Sequence, residues 1–124
     1  VIRPSVKITY PWKLTLGDYA WVGDDAVLYT LGEITIGANS VVSQKCYLCT
    51  GSHDFMSQHF DITASPIVIG EKCWLATDVF VAPGVSVGDG TVVGARSSVF
   101  KSLPANVVCR GNPAVVIRER VETD

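Results

Sequence analysis

Residues 69–99 read IGEKCWLATDVFVAPGVSVGDGTVVGARSSV, and the spacing of their aliphatic residues decides the fold. An aliphatic residue recurs at every sixth position, namely Ile69, Leu75, Val81, Val87, Val93 and Val99. The residue after each is small in five of the six cases, and the fourth residue after each is mostly small or β-branched. A period of six matches neither an α-helix nor a simple alternating strand.

The same pattern occurs upstream of this stretch. One run comprises Leu16, Val22 and Leu28, and a second comprises Ile36, Val42 and Leu48. The two runs are eight residues apart instead of six, so a two-residue slip falls within residues 30–35. The pattern predicts a parallel solenoid whose triangular coils each contain three short strands. Each strand would send one aliphatic side chain to the axis, and a glycine or small residue after it would relieve the backbone at the corner.

Three of the four cysteines fit this repeat. Cys46, Cys73 and Cys109 occupy the small inward position, where a reduced thiol acts as a compact hydrophobe. Cys46 and Cys49 also form a Cys-x-x-Cys pair, so zinc binding or a disulfide is the alternative. The repeat favours the core interpretation, and only Cys49, at a corner, is expected to be exposed.

The composition is that of a globular protein, and the length predicts one domain over residues 1–124. Hydrophobic residues make up 48%, and the net charge of −2 argues against a nucleic-acid binder, which needs a basic face. No apolar run approaches the ~18 residues of a membrane helix, so membrane insertion is not expected. The first residues do not resemble a signal peptide, and we expect a cytoplasmic location. Because the chain does not begin with Met, we expect its N-terminus to be truncated.

From Thr15 to Arg120 the repeat resembles that of the hexapeptide-repeat acyltransferases. Within that family, the segments ITYPW (8–12), LYTLGE (28–33), CTGSHD (49–54) and GNPA (111–114) are most similar to the colanic acid biosynthesis acetyltransferases. The resemblance implies an all-β fold, a single-stranded left-handed parallel β-helix with one projecting loop. It also implies acetyl-CoA as acyl donor, no metal requirement, and a homotrimer with its sites between subunits. Large aromatic rings too numerous for the axis predict an apolar interface independently.

The largest break in the repeat separates Leu48 from Ile69, a gap of 21 residues where three repeats would take 18. This break predicts a projecting loop at 54–65, and we expect residues 115–124 to form a C-terminal tail. A loop of this length in a compact domain is more often functional than decorative.

His53 lies at the root of this loop. From composition alone, a lone histidine would be a surface or hydrogen-bonded structural residue. The family's catalytic histidine is found at this place, so the resemblance implies that His53 is the general base. A neutral imidazole, with a reference pKa of ~6.5, can take the proton of a sugar hydroxyl as that hydroxyl attacks a thioester. No nucleophile stands beside a base, which favours direct transfer over an acyl-enzyme, with Cys49 as the one competitor.

Three residues are expected to bind the acceptor, namely Asp54, His59 and Asp24. Asp54 follows His53 and would either orient the imidazole or contact the acceptor. Asp24, Asp25 and Glu33 lie in the preceding coil, and each is either a carboxylate near the imidazole or a solvated corner residue. The acceptor is expected to be a sugar or a nucleotide sugar.

For the coenzyme, the resemblance implies contacts from Trp74, Ala76, Thr77, Ala95, Lys101 and Arg118. Small residues let a pantetheine arm lie flat, and Lys101 and Arg118 belong to a C-terminal basic cluster that can meet phosphates. Packing between subunits is the alternative for Trp74. Two positions depart from the family pattern: Arg96 replaces a small residue, and Val115 stands where a basic residue is common.

The predicted function is transfer of an acetyl group from acetyl-CoA to a sugar hydroxyl, in surface polysaccharide biosynthesis. The alternatives are an N-acyltransferase acting on an amino sugar, use of a longer acyl donor, and a non-catalytic β-helical scaffold that would not bind coenzyme A. A zinc-dependent carbonic anhydrase of this fold needs three histidine ligands, and the chain has two histidines. Fold alone does not decide among these functions.

Overall fold

The computed structural model describes residues 1–121, which contain seventeen short strands and one 3₁₀ turn. In chain order these are β1 (Lys7–Ile8), the 3₁₀ turn (Pro11–Lys13), β2 (Leu14–Leu16), β3 (Trp21–Val22), β4 (Val27–Tyr29), β5 (Ile34–Ile36), β6 (Val41–Val42), β7 (Tyr47–Cys49), β8 (Gly51–His53), β9 (Ile62–Ala64), β10 (Ile67–Ile69), β11 (Trp74–Leu75), β12 (Phe80–Val81), β13 (Ser86–Val87), β14 (Val92–Val93), β15 (Ser98–Val99), β16 (Val107–Gly111) and β17 (Ala114–Glu119). The all-β prediction is confirmed. Within residues 1–121, no helix has the length and apolarity to cross a membrane.

The strands stack into three parallel sheets, which form the faces of a triangular prism. Face A contains β3, β6, β11, β14 and β16 in that order, with β17 added antiparallel at its end. Face B contains β1, β4, β7, β12 and β15, and face C contains β2, β5, β10 and β13. The chain runs from face A to face B to face C in each coil. We name the corners by the faces that they join: residues 23–26 lie at an AB corner, 30–33 at a BC corner and 37–40 at a CA corner.

The residues predicted to point inward form the core. The six aliphatic residues of the stretch from Ile69 to Val99 are all buried, and so are the three predicted inward cysteines. Cys109, however, pairs with Val93 and so takes the aliphatic position of the repeat, not the predicted small position, because the last coil is two residues short. Polar residues at inward positions are also buried and hydrogen-bonded: the Ser40 hydroxyl donates to the Gly70 carbonyl at 2.6 Å. A paired hydroxyl avoids the cost of an unsatisfied buried polar group. The predicted parallel β-helix is therefore confirmed.

The corner glycines have a different structural role from the one predicted. A Cβ atom at Gly37 would lie 2.5 Å from the carbonyl carbon of Gly70 in the next coil, so glycine is needed there for close stacking of coils. The left-handed backbone conformation occurs two residues later, at Asn39, where φ is 60°. Equivalent corner residues with positive φ are Tyr19, Asp25, Lys45, Lys72, Asp78, Gly84, Gly90, Arg96 and Asn106. The corner is turned mainly by polar residues, and the glycines set the distance between coils.

The irregularities of the repeat all fall at the BC corner. The aliphatic pairs Ile8–Leu16, Leu28–Ile36 and Leu48–Ile69 flank this corner in the first three coils, at separations of eight, eight and 21 residues. The first of these slips escaped the sequence analysis, because the repeat was followed only from Leu16. One edge of the prism, at its N-terminal end, therefore carries every insertion. The same edge is two residues shorter in the last coil, where Leu103 follows Val99 by four residues and pairs with Val87.

Two predicted boundaries change. Strands β8 and β9 pair antiparallel, so the loop predicted at 54–65 is the tip and second strand of a hairpin that begins at Gly51. Residues 115–119, predicted as part of a tail, belong to β17, which pairs with β16 and covers the edge of face A. The remainder of the predicted tail includes 122–124, which lie outside the described residues.

Candidate active site

His53 ends strand β8 of the hairpin and faces solvent. Its Nδ1 atom lies 2.8 Å from the backbone carbonyl oxygen of Phe60, across the hairpin tip. A carbonyl oxygen can only accept a hydrogen bond, so this contact places the proton of the neutral ring on Nδ1. The Nε2 atom is then the unprotonated nitrogen, available to act as a base. Among residues 1–121, no carboxylate is hydrogen-bonded to this ring, so the orienting group is a backbone carbonyl rather than any of the acidic residues that we considered.

Asp54 shapes the hairpin tip. Its Oδ1 atom accepts a hydrogen bond from the Met56 amide at 2.9 Å, and its own amide donates to the Asp61 carbonyl at 2.8 Å. These bonds hold the tip in the turn that brings the Phe60 carbonyl over to His53. Asp54 thus makes its hydrogen bonds within the tip, and none of them is to the His53 ring. His59, the other predicted acceptor residue of the hairpin, is exposed near the tip.

Asp24 lies at a different corner from His53. Its Oδ1 atom accepts hydrogen bonds from Arg3 Nε at 3.2 Å and from the Ser5 hydroxyl at 3.3 Å, at the AB corner of its coil. Asp25 shares that corner, whereas Glu33 lies at the BC corner, on the same edge as the hairpin. Within one chain, therefore, the structure does not bring Asp24 or Asp25 to His53.

A groove runs along the AB corner and the adjoining part of face A. It has a volume of about 430 Å³ and is lined by Ser43, Gln44, Trp74, Ala76, Thr77, Val92, Gly94 and Ala95. Four of the six predicted coenzyme residues, Trp74, Ala76, Thr77 and Ala95, thus lie together. The Trp74 side chain is half-exposed, and its indole N–H donates to the Ser43 hydroxyl at 2.9 Å. This hydrogen bond fixes the indole as one wall of what we call the AB groove.

The two remaining predicted coenzyme residues lie apart. Arg118 pairs with Val108, which pairs with Val92, so Arg118 lies on face A beyond the C-terminal end of the AB groove. Lys101 lies at the BC corner, between β15 and the last inward residue of face C, on the edge that carries His53. Only Arg118 could therefore meet a ligand in the AB groove of its own chain.

Two further arginines flank the AB groove, and the sequence analysis did not assign them to it. Arg96 follows Ala95 at the AB corner and lies 4.0 Å from Asp78. Arg110 stacks beneath Gly94: its Cβ atom is 3.1 Å from the position that a Cβ would take on that glycine. Arg96 follows the inward Val93 by three residues, so counting coils would have placed it at the AB corner. Arg110 directly follows the inward Cys109 only because the last coil is two residues short, and counting in sixes would have misplaced it.

The AB groove continues toward the N-terminus as a second, more polar recess of about 400 Å³. Its walls are Arg3, Trp21, Gly23, Asp24, Asp25, Gln44 and Lys45. Gln44 lines both recesses, so they are neighbours along the AB corner. The predicted acceptor residue Asp24 is thus on the same edge as Trp74, Ala76, Thr77 and Ala95.

The buried thiols are poorly suited to nucleophilic chemistry. Burial raises the pKa of Cys46 to about 11, and burial also raises the pKa of Cys73 and Cys109. A raised pKa keeps a thiol protonated at neutral pH, and only the thiolate is a strong nucleophile. All four cysteines are free, and Cys49 alone is partly exposed. In residues 1–121 the structure brings together no group of three or more His, Cys, Asp or Glu side chains that could hold a metal ion.

Of the four thiols, we expect Ellman's reagent to label one rapidly in the folded protein, at Cys49. The other three should react only after unfolding, because each is buried as well as protonated. The Cys49→Ser variant is the control and should show no rapid phase. Rapid labelling of two or more thiols in the native protein would contradict the core assignment.

Known proteins resemble this chain in both sequence and structure. A family model described as "Bacterial transferase hexapeptide (six repeats)" matches residues 66–101. The chain is 90% identical over 124 residues to the "Putative colanic acid biosynthesis acetyltransferase WcaF" of Escherichia coli (strain K12), covering 100% of this chain and 68% of that protein. The chain belongs to the hexapeptide-repeat acetyltransferases. Membership of this family confirms both the predicted enzyme class and the resemblance that was identified from the repeat.

Other members share the whole length of the prism. The galactoside O-acetyltransferase of Escherichia coli (strain K12) is 30% identical over 126 residues, covering 99% of this chain and 62% of that protein. A hexapeptide-repeat acetyltransferase of Vibrio cholerae, solved in complex with acetyl coenzyme A, superposes with a TM-score of 0.92 at 26% identity, covering 98% of this chain and 68% of that one. The chain therefore spans 62–68% of the length of these relatives.

Proposed function

We propose that this acetyltransferase moves an acetyl group from acetyl-CoA to a sugar hydroxyl, in the cytoplasm, during surface polysaccharide biosynthesis. His53 acts as general base in a direct transfer. The observation that carries the proposal is the hydrogen bond from His53 Nδ1 to the Phe60 carbonyl, which leaves Nε2 as the basic nitrogen. The relatives named for galactoside O-acetylation and colanic acid biosynthesis support a saccharide acceptor.

The reaction needs one proton to move twice. Nε2 of His53 takes the proton of the acceptor hydroxyl as that oxygen attacks the thioester carbonyl carbon. The C–S bond then breaks, the new ester C–O bond remains, and the imidazolium returns its proton to the departing thiolate. The Phe60 carbonyl stabilises the imidazolium between these steps, because the positively charged ring donates a stronger hydrogen bond through Nδ1. His53 is thereby regenerated without a covalent acyl-enzyme.

In this proposal the AB groove holds the coenzyme. Ala76, Gly94 and Ala95 leave room for a slender pantetheine arm, and Trp74 offers an aromatic wall. Arg118 and the flanking Arg96 and Arg110 provide guanidinium groups at the C-terminal end, where phosphates can bind. The solved complex of the Vibrio cholerae relative with acetyl coenzyme A supports this donor.

A complete site would need two copies of the chain. His53 projects from the BC corner, whereas the AB groove lies at the AB corner, and the whole of face B separates them. The outward rows on faces A and B contain Trp21, Val41, Trp74, Val27, Tyr47 and Phe80, whereas face C presents one apolar residue, Val68, among Thr15, Thr35 and Ser86. Contact between face A of one copy and face B of the next would bury both apolar rows and close into a ring. We propose a homotrimer, the number three following from the family, and sedimentation equilibrium tests it.

The experiment follows thiol release from acetyl-CoA against sugars, nucleotide sugars and amino sugars. Release that depends on a hydroxyl acceptor, with an O-acetyl product, would support the proposal. Transfer only to amino sugars would replace it with N-acylation. Faster turnover with a longer acyl-CoA would show that the group transferred is a longer acyl group and not acetyl. Absence of coenzyme A binding in calorimetry would favour the scaffold alternative.

The Trp74→Ala variant should bind coenzyme A ~10-fold more weakly, because it loses the aromatic wall of the groove and the tether to Ser43. Isothermal titration calorimetry measures the dissociation constant. The control is Tyr19→Ala, which removes an almost fully exposed aromatic ring at the CA corner and should leave binding unchanged. If Trp74→Ala instead dissociates the oligomer, or binds coenzyme A as wild type does, Trp74 is a packing residue and not part of the coenzyme site.

A further inference from the structure

An exposed aromatic pair lies at the BC corner of the first coil, outside the site described so far. Trp12 is 77% exposed, and its ring lies 5.1 Å from that of Tyr10, with an angle of 39° between the planes. A cluster of exposed apolar side chains often marks an interaction site. This pair lies at the BC corner, so face B separates it from the AB groove, which lies at the AB corner.

The turn that carries these rings is firmly held. The Tyr10 amide donates to the Thr30 hydroxyl at 2.7 Å, and that hydroxyl donates back to the Tyr10 carbonyl at 3.1 Å. Pro11 opens the 3₁₀ turn with its φ already fixed. Lys13 Nζ donates to the Leu31 carbonyl at 2.6 Å and lies 5.6 Å from the Tyr10 ring centroid, within cation–π range. The backbone that carries the rings is therefore held against the next coil.

This platform is coupled to the hairpin that carries His53. The Leu31 side chain packs against Gly51, the first residue of β8: its Cδ1 atom is 2.7 Å from the position of a Cβ on that glycine. The Gly32 amide donates to the Thr50 hydroxyl at 2.8 Å. Thus Trp12 and the hairpin that carries His53 are on the same edge, and the corners from which they project are two coils apart, about 10 Å along the axis at the spacing of neighbouring strands.

We infer that the Tyr10–Trp12 platform binds a sugar ring of the acceptor, at a subsite beyond the sugar that receives the acetyl group. A pyranose has one face of C–H groups, which packs on an aromatic ring, and a rim of hydroxyls, which needs hydrogen-bond partners. Lys13 Nζ has two further N–H donors for such hydroxyls beside the platform. The acceptor is accordingly an oligosaccharide and not a single sugar. The inference rests on the proposed function and specifies its substrate class.

Binding is tested first without acetyl-CoA, so that it does not depend on catalysis. The full chain, labelled with ¹⁵N, is titrated with hexasaccharides of galactose and of glucose, and the indole N–H signal of Trp12 is followed by NMR. The chain has three tryptophans, so the signals are assigned with Trp12→Phe and Trp74→Phe. We expect one of the hexasaccharides to shift the Trp12 signal and to leave that of Trp74 in place. A Trp12 signal that responds to neither series overturns the inference.

Kinetics then test the subsite. KM of wild type should fall as the acceptor grows from a methyl glycoside to the hexasaccharide. Trp12→Ala should raise KM for the hexasaccharide ~10-fold and leave KM for the methyl glycoside unchanged, whereas Trp12→Phe should retain most of the effect. The matched control, Tyr19→Ala, should behave as wild type.

The inference is overturned if Trp12→Ala keeps the full length dependence, or if it dissociates the oligomer, which would make the platform a subunit contact. The proposed function can fail separately. Transfer to no sugar, with a Trp12 signal that still shifts, would refute the acetyl transfer and leave the Tyr10–Trp12 platform as a saccharide-binding site. Transfer to sugars with a KM that substitution of Trp12 does not change would refute the subsite alone.

Discussion

The His53→Ala variant should lose ~10²- to 10⁴-fold in kcat for acetyl transfer, the usual contribution of a positioned general base. In the proposed mechanism the ring removes the acceptor proton through Nε2, and the Phe60 carbonyl at Nδ1 holds the ring in the tautomer that can do so. KM for acetyl-CoA should change little, because the AB groove is built from other residues. Initial rates of thiol release, measured at saturating acceptor, give kcat directly.

The fold should not suffer from this substitution. His53 is exposed, and its removal deletes one hydrogen bond at a solvent-facing hairpin, worth about 1 kcal/mol or less. The matched control is His59→Ala in the same hairpin, which removes the other histidine and should cost less than ~10-fold in kcat. Equal losses in the two variants, or full activity of His53→Ala with normal thermal unfolding, would remove His53 from the role of base.

The spacing of aliphatic residues was sufficient to predict the architecture. A side chain at the axis of a triangular coil has no alternative environment, so each coil must repeat the same inward pattern. Ile69 and its successors at intervals of six are buried for this reason. The corner conformation could not be read in the same way, because the residues with positive φ include Tyr19, Lys72 and Arg96, which share no chemical property.

The candidate site was predicted only in part, and the limits have physical causes. His53 stood out because it interrupts a regular repeat. Its partner, the Phe60 carbonyl, has no sequence signal, because every residue has a carbonyl and only the turn geometry brings this one close. The separation of Asp24 from His53 follows from which corner each occupies, and the missed slip between Ile8 and Leu16 shows how easily that count is lost.

The proposed trimer and the coenzyme contacts depend on the same count of corners. Thr77 and Ala95 lie together because their positions differ by one whole coil, whereas Lys101 falls at the next corner, BC. Sequence proximity in a basic cluster therefore says little about which cations share a site. In a β-helix, residues separated by a whole coil are neighbours, and residues a few positions apart can lie on different edges.

Replacing Ile69 by alanine should destabilise the protein by ~2–5 kcal/mol, whereas replacing the adjacent Val68 should cost about 0.5 kcal/mol or less. Both residues belong to β10, but Ile69 is 1% exposed and Val68 is 42% exposed. Ile69 aligns with Ile36 in the preceding coil and Val87 in the following one, so its truncation opens a cavity in the aliphatic column. Urea unfolding at one fixed protein concentration compares the two variants while holding oligomer assembly constant. Equal losses in the free energy of unfolding at the two positions would mean that the outward faces contribute as much stability as the core. The six-residue spacing would then not reflect burial at a shared axis.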